Sequence, residues 1–153
     1  MERSNALVAG LAILVILLLP SVALGSTWVV KDGAGHKRGT VRNTHGLSQA
    51  DVKHKNGSWA GWVWLFDASN GRHYNVYRGR PHTVVGDPLG WVKNGLLHPG
   101  SGSTAVMGKV VKANGRWSVY KLVGIGFRKV GSVPGACPRD YAMGAGSLLI
   151  WGW

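Results

Sequence analysis

The chain has 153 residues, among them 24 Gly, 8 Trp and one Cys, and a formal net charge of +12. One cysteine cannot form an internal bridge, which excludes a disulfide-stapled miniprotein, and Gly lacks the every-third-residue period of a collagen-like chain. With 45% apolar residues the sequence is too hydrophobic for a disordered tail, and its length fits one domain.

Residues 6–19 form an unbroken apolar run of 14, preceded by Met1-Glu2-Arg3-Ser4-Asn5. Pro20 ends the helix that such a run would form, because it lacks an N–H and clashes with the preceding turn. Ala23-Leu24-Gly25 then places small residues at −3 and −1 before Ser26, the plan of a secretory signal peptide. An uncleaved anchor is the alternative, but 14 helical residues span roughly 21 Å, short of a ~30 Å hydrocarbon core. The expectation is a signal peptide over 1–25 and a single domain over 26–153. That domain would be secreted or held in the cell envelope, and would meet a membrane only through the leader if it stays uncleaved. Glu2 and Arg3 leave together, so the remaining 128 residues keep a charge of +12 from 17 basic and 5 acidic residues.

After Ser26 no stretch shows a 3.6-residue apolar period, and Gly is too frequent for helices, where each interior Gly costs about 1 kcal/mol relative to Ala. Short runs rich in Val, Trp and Tyr lie between turn dipeptides instead. Asn56-Gly57, Asn70-Gly71, Asn94-Gly95 and Asn114-Gly115 suit tight hairpin turns, which need positive φ. Strands are expected before and after 70–71 and 114–115, and Ser147–Trp153 reads as a last strand. The pieces repeat. Trp28-Val-Val, Tyr74-Asn-Val-Tyr and Trp117-Ser-Val-Tyr start 46 and 43 residues apart, each followed by a Gly-x-Val, at 39–41, 90–92 and 131–133. Further Gly-x-Val pieces stand at 61–63 and 108–110. The predicted fold is all-β, about three hairpin repeats of 43–46 residues closed or partly closed into a meander barrel or sandwich, with a β-trefoil-like arrangement as the alternative. Closure is expected because an open sheet exposes pairing-competent edges.

The histidines His36, His45 and His54 are nine residues apart and are weak metal candidates, with Asp32 or Asp51 as further ligands; odd spacing puts strand neighbours on opposite faces. No cofactor is implied. The acids Asp32, Asp51, Asp67, Asp87 and Asp140 are isolated, and Asp32, Asp67 and Asp87 look like turn residues, whereas glycoside hydrolysis in its usual form needs a carboxylate pair. Cys137, in Pro134-Gly-Ala-Cys-Pro138, is expected to be buried as a small hydrophobe. At least five of the eight Trp are expected in the core, with Trp62 and Trp64 on one face of a strand. The charge of +12 exceeds the ~2–8 of an ordinary small domain. Lys53, Lys55, Arg72, Arg78, Arg80 and Arg116, with Trp62 and Trp64, are the candidate polyanion-binding residues, cations and aromatic faces being what anionic polymers engage. The function expected is therefore binding of an anionic polymer or envelope surface without catalysis. A structural envelope protein without a ligand, and a secreted hydrolase, are the alternatives.

Overall fold

The computed structural model describes residues 25–68, 71–83 and 86–153. The apolar run, Ala23-Leu24 of the cleavage motif and Asn70 lie outside the described residues. Ten strands follow one another once round a closed antiparallel barrel. They are β1 Thr27–Asp32, β2 Lys37–Asn43, β3 Gln49–His54, β4 Trp59–Ala68, β5 Gly71–Arg78, β6 Gly90–Lys93, β7 Leu96–Pro99, β8 Gly108–Ala113, β9 Arg116–Val123 and β10 Gly126–Pro134. β10 returns to β1, pairing Ser132 with Lys31. This is the expected closed meander; the trefoil alternative does not form. Two of the Asn-Gly turns behave as expected: Asn94-Gly95 and Asn114-Gly115 both have positive φ at the two central positions, as a type I′ hairpin turn demands, whereas at Asn56-Gly57 only the glycine does.

A helix, α1 (Arg139–Ile150), follows β10 and contacts every one of the ten strands. It runs inside the barrel. Nine successive residues, Tyr141 to Leu149, are buried, so no face of it is wetted. This corrects the expectation that Ser147–Trp153 is a strand, and places one 12-residue helix in a chain read as holding little. The reason is physical. A helix enclosed on all sides has no polar face and shows no amphipathic period, so the pattern that betrays surface helices is missing.

The barrel and the helix fit through glycine. An eight-stranded barrel is filled by its own side chains; ten strands leave room for a slender helix. The middle of α1 is small, and a Cβ on Gly144 would lie 2.6 Å from Val63, one on Gly146 2.8 Å from Val119. Its C-terminal end is large, and the wall recedes there. Gly39, Gly61, Gly90, Gly108 and Gly131 stand one on each even-numbered strand. They pair with Val30, Val52, Val76, Leu97 and Val119 of the odd-numbered strands. A Cβ on them would meet Leu149 at 2.8 Å, Leu148 at 2.8 Å, Trp153 at 2.6 Å, Trp151 at 2.7 Å and the Ile150 side chain, respectively. Two residues further on, Val41, Val63, Val92, Val110 and Val133 are buried in the lumen. Gly-x-Val therefore recurs five times, once per hairpin, and the 43–46-residue spacing marks alternate hairpins.

The helix enters at the barrel end that carries the β2–β3, β4–β5, β6–β7 and β8–β9 connections, the entry end. Pro138 precedes α1 and caps it with no side chain. The wall supplies the fastening instead. The backbone N–H of Gly95 donates to Asp140 Oδ1 at 2.6 Å, and Arg139 donates to Asn94 Oδ1 at 3.0 Å. Trp117 Nε1 donates to the Cys137 carbonyl at 2.8 Å. Tyr74 and Tyr141 hydroxyls donate to the carbonyls of Leu47 (2.9 Å) and Gly46 (3.0 Å), pinning the β2–β3 loop. Burial, and secondarily the Asp140 charge, raise the Tyr74 phenol above its ordinary range.

Candidate functional site

Four tryptophans, Trp28, Trp117, Trp151 and Trp153, pack in or against the core, and a fifth, Trp62, is buried from the outer side. Trp59, Trp62, Trp64 and Trp91 stand on the outer wall. The two-residue strand period explains the division: lumen-facing Val63 lies between Trp62 and Trp64, and buried Gly90 and Val92 flank Trp91.

The outward residues of β3–β7 align across the sheet. Gln49, Trp64, Asn75, Trp91 and His98 form one cross-strand row, with Asp51, Trp62 and Tyr77 in a second and Phe66 opposite His73 beside them. Trp62 stacks on Tyr77 at 4.6 Å and on Trp64 at 5.5 Å, and His82 lies 5.0 Å from it. These neighbours leave Trp62 2% exposed although it faces outward, while Trp64 stays 42% exposed. Trp91 stacks on His98 at 3.9 Å, and His73 meets it edge-on at 5.4 Å.

A groove of about 610 Å³ runs over this wall. Phe66, His73, Asn75, Tyr77, Trp91 and Lys93 line it from the strands; Gly86-Asp87-Pro88 and Ser101-Gly102 line it from the β5–β6 and β7–β8 connections. Aromatic rings with one amide and one carboxylate suit a planar or sugar ring held by stacking and a few hydrogen bonds. Among the described residues, Asp87 is the one carboxylate in its lining.

The second feature is the end of the barrel away from the helix entry, the far end. Strand directions put eleven basic residues there. They are Lys31, Lys37 and Arg38 on β1–β2, Lys53 and Lys55 at the end of β3 and the β3–β4 turn, Arg78 at the end of β5 and Arg80 after it, and Lys109, Lys121, Arg128 and Lys129 on β8–β10. Asp32 and Asp87 are the acids at that end, and Asp32 is committed to its own turn. Its Oδ1 accepts from the backbone N–H of Ala34 (3.0 Å) and His36 (2.9 Å), and the His36 bond foremost lowers its pKa. Arg38, His54, Lys55, Asn56 and Ser58 surround a recess of about 240 Å³.

The candidate residues divide between these features. Lys53, Lys55, Arg78 and Arg80 come together at the far end, with the Lys53 ammonium 4.5 Å over Trp59. Arg72 lies at the opposite end of β5, and Arg116 on β9 at the entry end, bonded to Ser132 Oγ at 3.3 Å. Trp62 and Trp64 belong to the aromatic wall. His36, 3.7 Å from Asp32, and His54 lie at the far end, whereas His45 is at the entry end. Among the described residues no three His, Cys, Asp or Glu side chains come together. Cys137 is buried, as expected, and burial pushes its thiol far above the ordinary range. The groove residues Phe66, His73, Asn75 and Tyr77 were not among the candidates. Alternation of Trp62, Trp64 and Phe66 was the available signal, but the row across five strands exists only once the register is set. Comparison of the chain with protein families, with curated proteins and with solved structures finds no match.

Proposed function

We propose that the protein is a non-catalytic module acting outside the cytoplasm, and that its far end binds an anionic polymer: an acidic polysaccharide, a wall polymer or a nucleic acid. One observation carries the reading, the collection of eleven basic residues against two acids at one end of the barrel. Such a charged surface attracts polyanions by counterion release, and the aromatic groove, which reaches the far-end connections, adds stacking for rings of the polymer. The single carboxylate among the described residues of the groove and the buried Cys137 thiol support binding over hydrolysis.

Salt-dependent binding tests this. On duplex DNA each neutralised phosphate contributes about −0.9 to the log–log salt slope. Replacing Arg78 and Arg80 with Gln should therefore reduce the slope by nearly two units, whereas replacing Arg72 and Lys112 at the entry end should leave it unchanged. Equal effects of the two pairs would show that net charge alone acts. Passage through heparin at low salt would sink the reading in favour of a structural envelope protein.

A further inference from the structure

The β9–β10 hairpin extends beyond the barrel. β9 pairs with β8 as far as Lys121, opposite Gly108, with one further bond from the Leu122 N–H to the Met107 carbonyl at 2.9 Å, and β10 meets β1 first at Gly131, opposite Asp32. Residues 123–129 thus project past the far end as the tip of the β9–β10 hairpin, closed by Gly124-Ile125 with Gly124 at φ 61°. Its tip is apolar and wet. Ile125 is fully exposed, Val123 is 52% exposed, and Leu122 pairs with a similarly exposed Phe127. Directly behind the tip, Lys121 stands opposite Arg128 on one face, and Lys109 places its ammonium 4.5 Å over Phe127 on the other.

Two features of this hairpin find no full partner in the barrel. Ile125 is fully exposed at its apex beside half-exposed Val123, and two like charges, Lys121 and Arg128, face each other across the strands, an arrangement that destabilises a hairpin. Both are met by one kind of surface. An apolar prow with a cationic collar matches the depth profile of an anionic bilayer, with acyl chains below and phosphate headgroups above. The barrel itself is not built to span: Arg42, Asp51 and Lys53 face outward on β2 and β3, where a transmembrane barrel carries an apolar band.

We propose that the β9–β10 hairpin docks the far end of the barrel onto an anionic lipid bilayer, with Ile125, Val123, Leu122 and Phe127 entering the acyl boundary and Lys109, Lys121 and Arg128 contacting the headgroups. This surface shares its charge with the polymer-binding end but depends on a feature that polymer binding does not need, the apolar tip.

The test places an environment-sensitive fluorophore on the full chain at Ile125→Cys; buried Cys137 does not compete for the label. Vesicles of phosphatidylcholine with about 30% phosphatidylglycerol should shift the emission to the blue and expose the label to bilayer-embedded quenchers, and pure phosphatidylcholine should not. The second substitution Phe127→Asp should weaken the shift about tenfold or more, from the loss of one buried aromatic side chain. Lys121→Glu with Arg128→Glu should abolish the preference for anionic lipid. Heparin affinity of Ile125→Cys should equal that of the unmodified protein. A label that stays in water on vesicles to which the chain is bound overturns the proposal, even if heparin binding persists. A blue shift that grows with protein concentration in the absence of lipid also overturns it, and assigns the tip to a second copy of the chain.

Discussion

Replacing Gly108 with Ala probes the fit between wall and helix. A Cβ at this position would lie 2.7 Å from Cζ2 of Trp151 and 3.1 Å from the Tyr120 carbonyl oxygen, and real Cβ atoms essentially never come within 3.0 Å of a neighbour. In an open strand position the same change would stabilise by about 0.4–1 kcal/mol, through the entropy of the unfolded chain. Overpacking costs about 1–3 kcal/mol, so the clash wins and the net loss is about 1–2 kcal/mol. For a domain of this size that lowers Tm by roughly 4–10 °C. Gly126→Ala is the control, because nothing lies within 4 Å of its Cβ position; its stability should be unchanged or slightly raised. Since Trp151 is the nearer obstacle, the cost of Gly108→Ala should fall to about zero in a Trp151→Leu background, a coupling of about 1–2 kcal/mol. Urea denaturation followed by far-UV circular dichroism measures all four members of the cycle. An equal cost of Gly108→Ala in both backgrounds would refute the assignment and move the obstacle to the strand backbone.

A chain ending at Pro138 lacks α1 and leaves the valines of the lumen facing a void; it should show no cooperative thermal transition by circular dichroism. Cys137 should react with a thiol-specific reagent at least a hundredfold more slowly in the native protein than in denaturant, because the reactive thiolate is suppressed by burial. The same burial has a pH signature. The folded thiol holds its proton well above the ordinary value of 9.0, so the unfolded chain loses protons first. Stability should then fall by about 1 kcal/mol between pH 9 and 10, and Cys137→Ala should flatten that slope in urea titrations at the two pH values.

Much of the wall was legible in the residues. Asn94-Gly95 and Asn114-Gly115 declare hairpins through the positive φ that both positions need. The alternation in Trp62-Val63-Trp64 declares a strand with two different faces, and the abundance of unblocked strands implies closure. The recurring Gly-x-Val was visible too, but its meaning was not. Local sequence cannot distinguish a glycine that serves a turn from one that clears space for a side chain arriving from Leu148–Trp153, which for Gly39 is Leu149, 110 residues away. For the same reason the segment 139–150 concealed its helix. Periodicity reports a boundary between water and core, and a helix enclosed by ten strands has no such boundary.

Composition alone determined the excess of positive charge, the paucity of acids and the wealth of tryptophan. Which cations share a surface was decided by strand direction: Arg72 and Arg78 lie on the same strand yet at opposite ends of the barrel, while Lys53 and Arg78, on different strands, lie at the same end. Which tryptophans face water was decided by closure, because closing the sheet made one face of every strand a lumen for α1 and left Trp62, Trp64 and Trp91 on the other. The aromatic row, the groove and the projecting hairpin follow from register and strand length, properties of pairs of strands that no single segment of sequence contains.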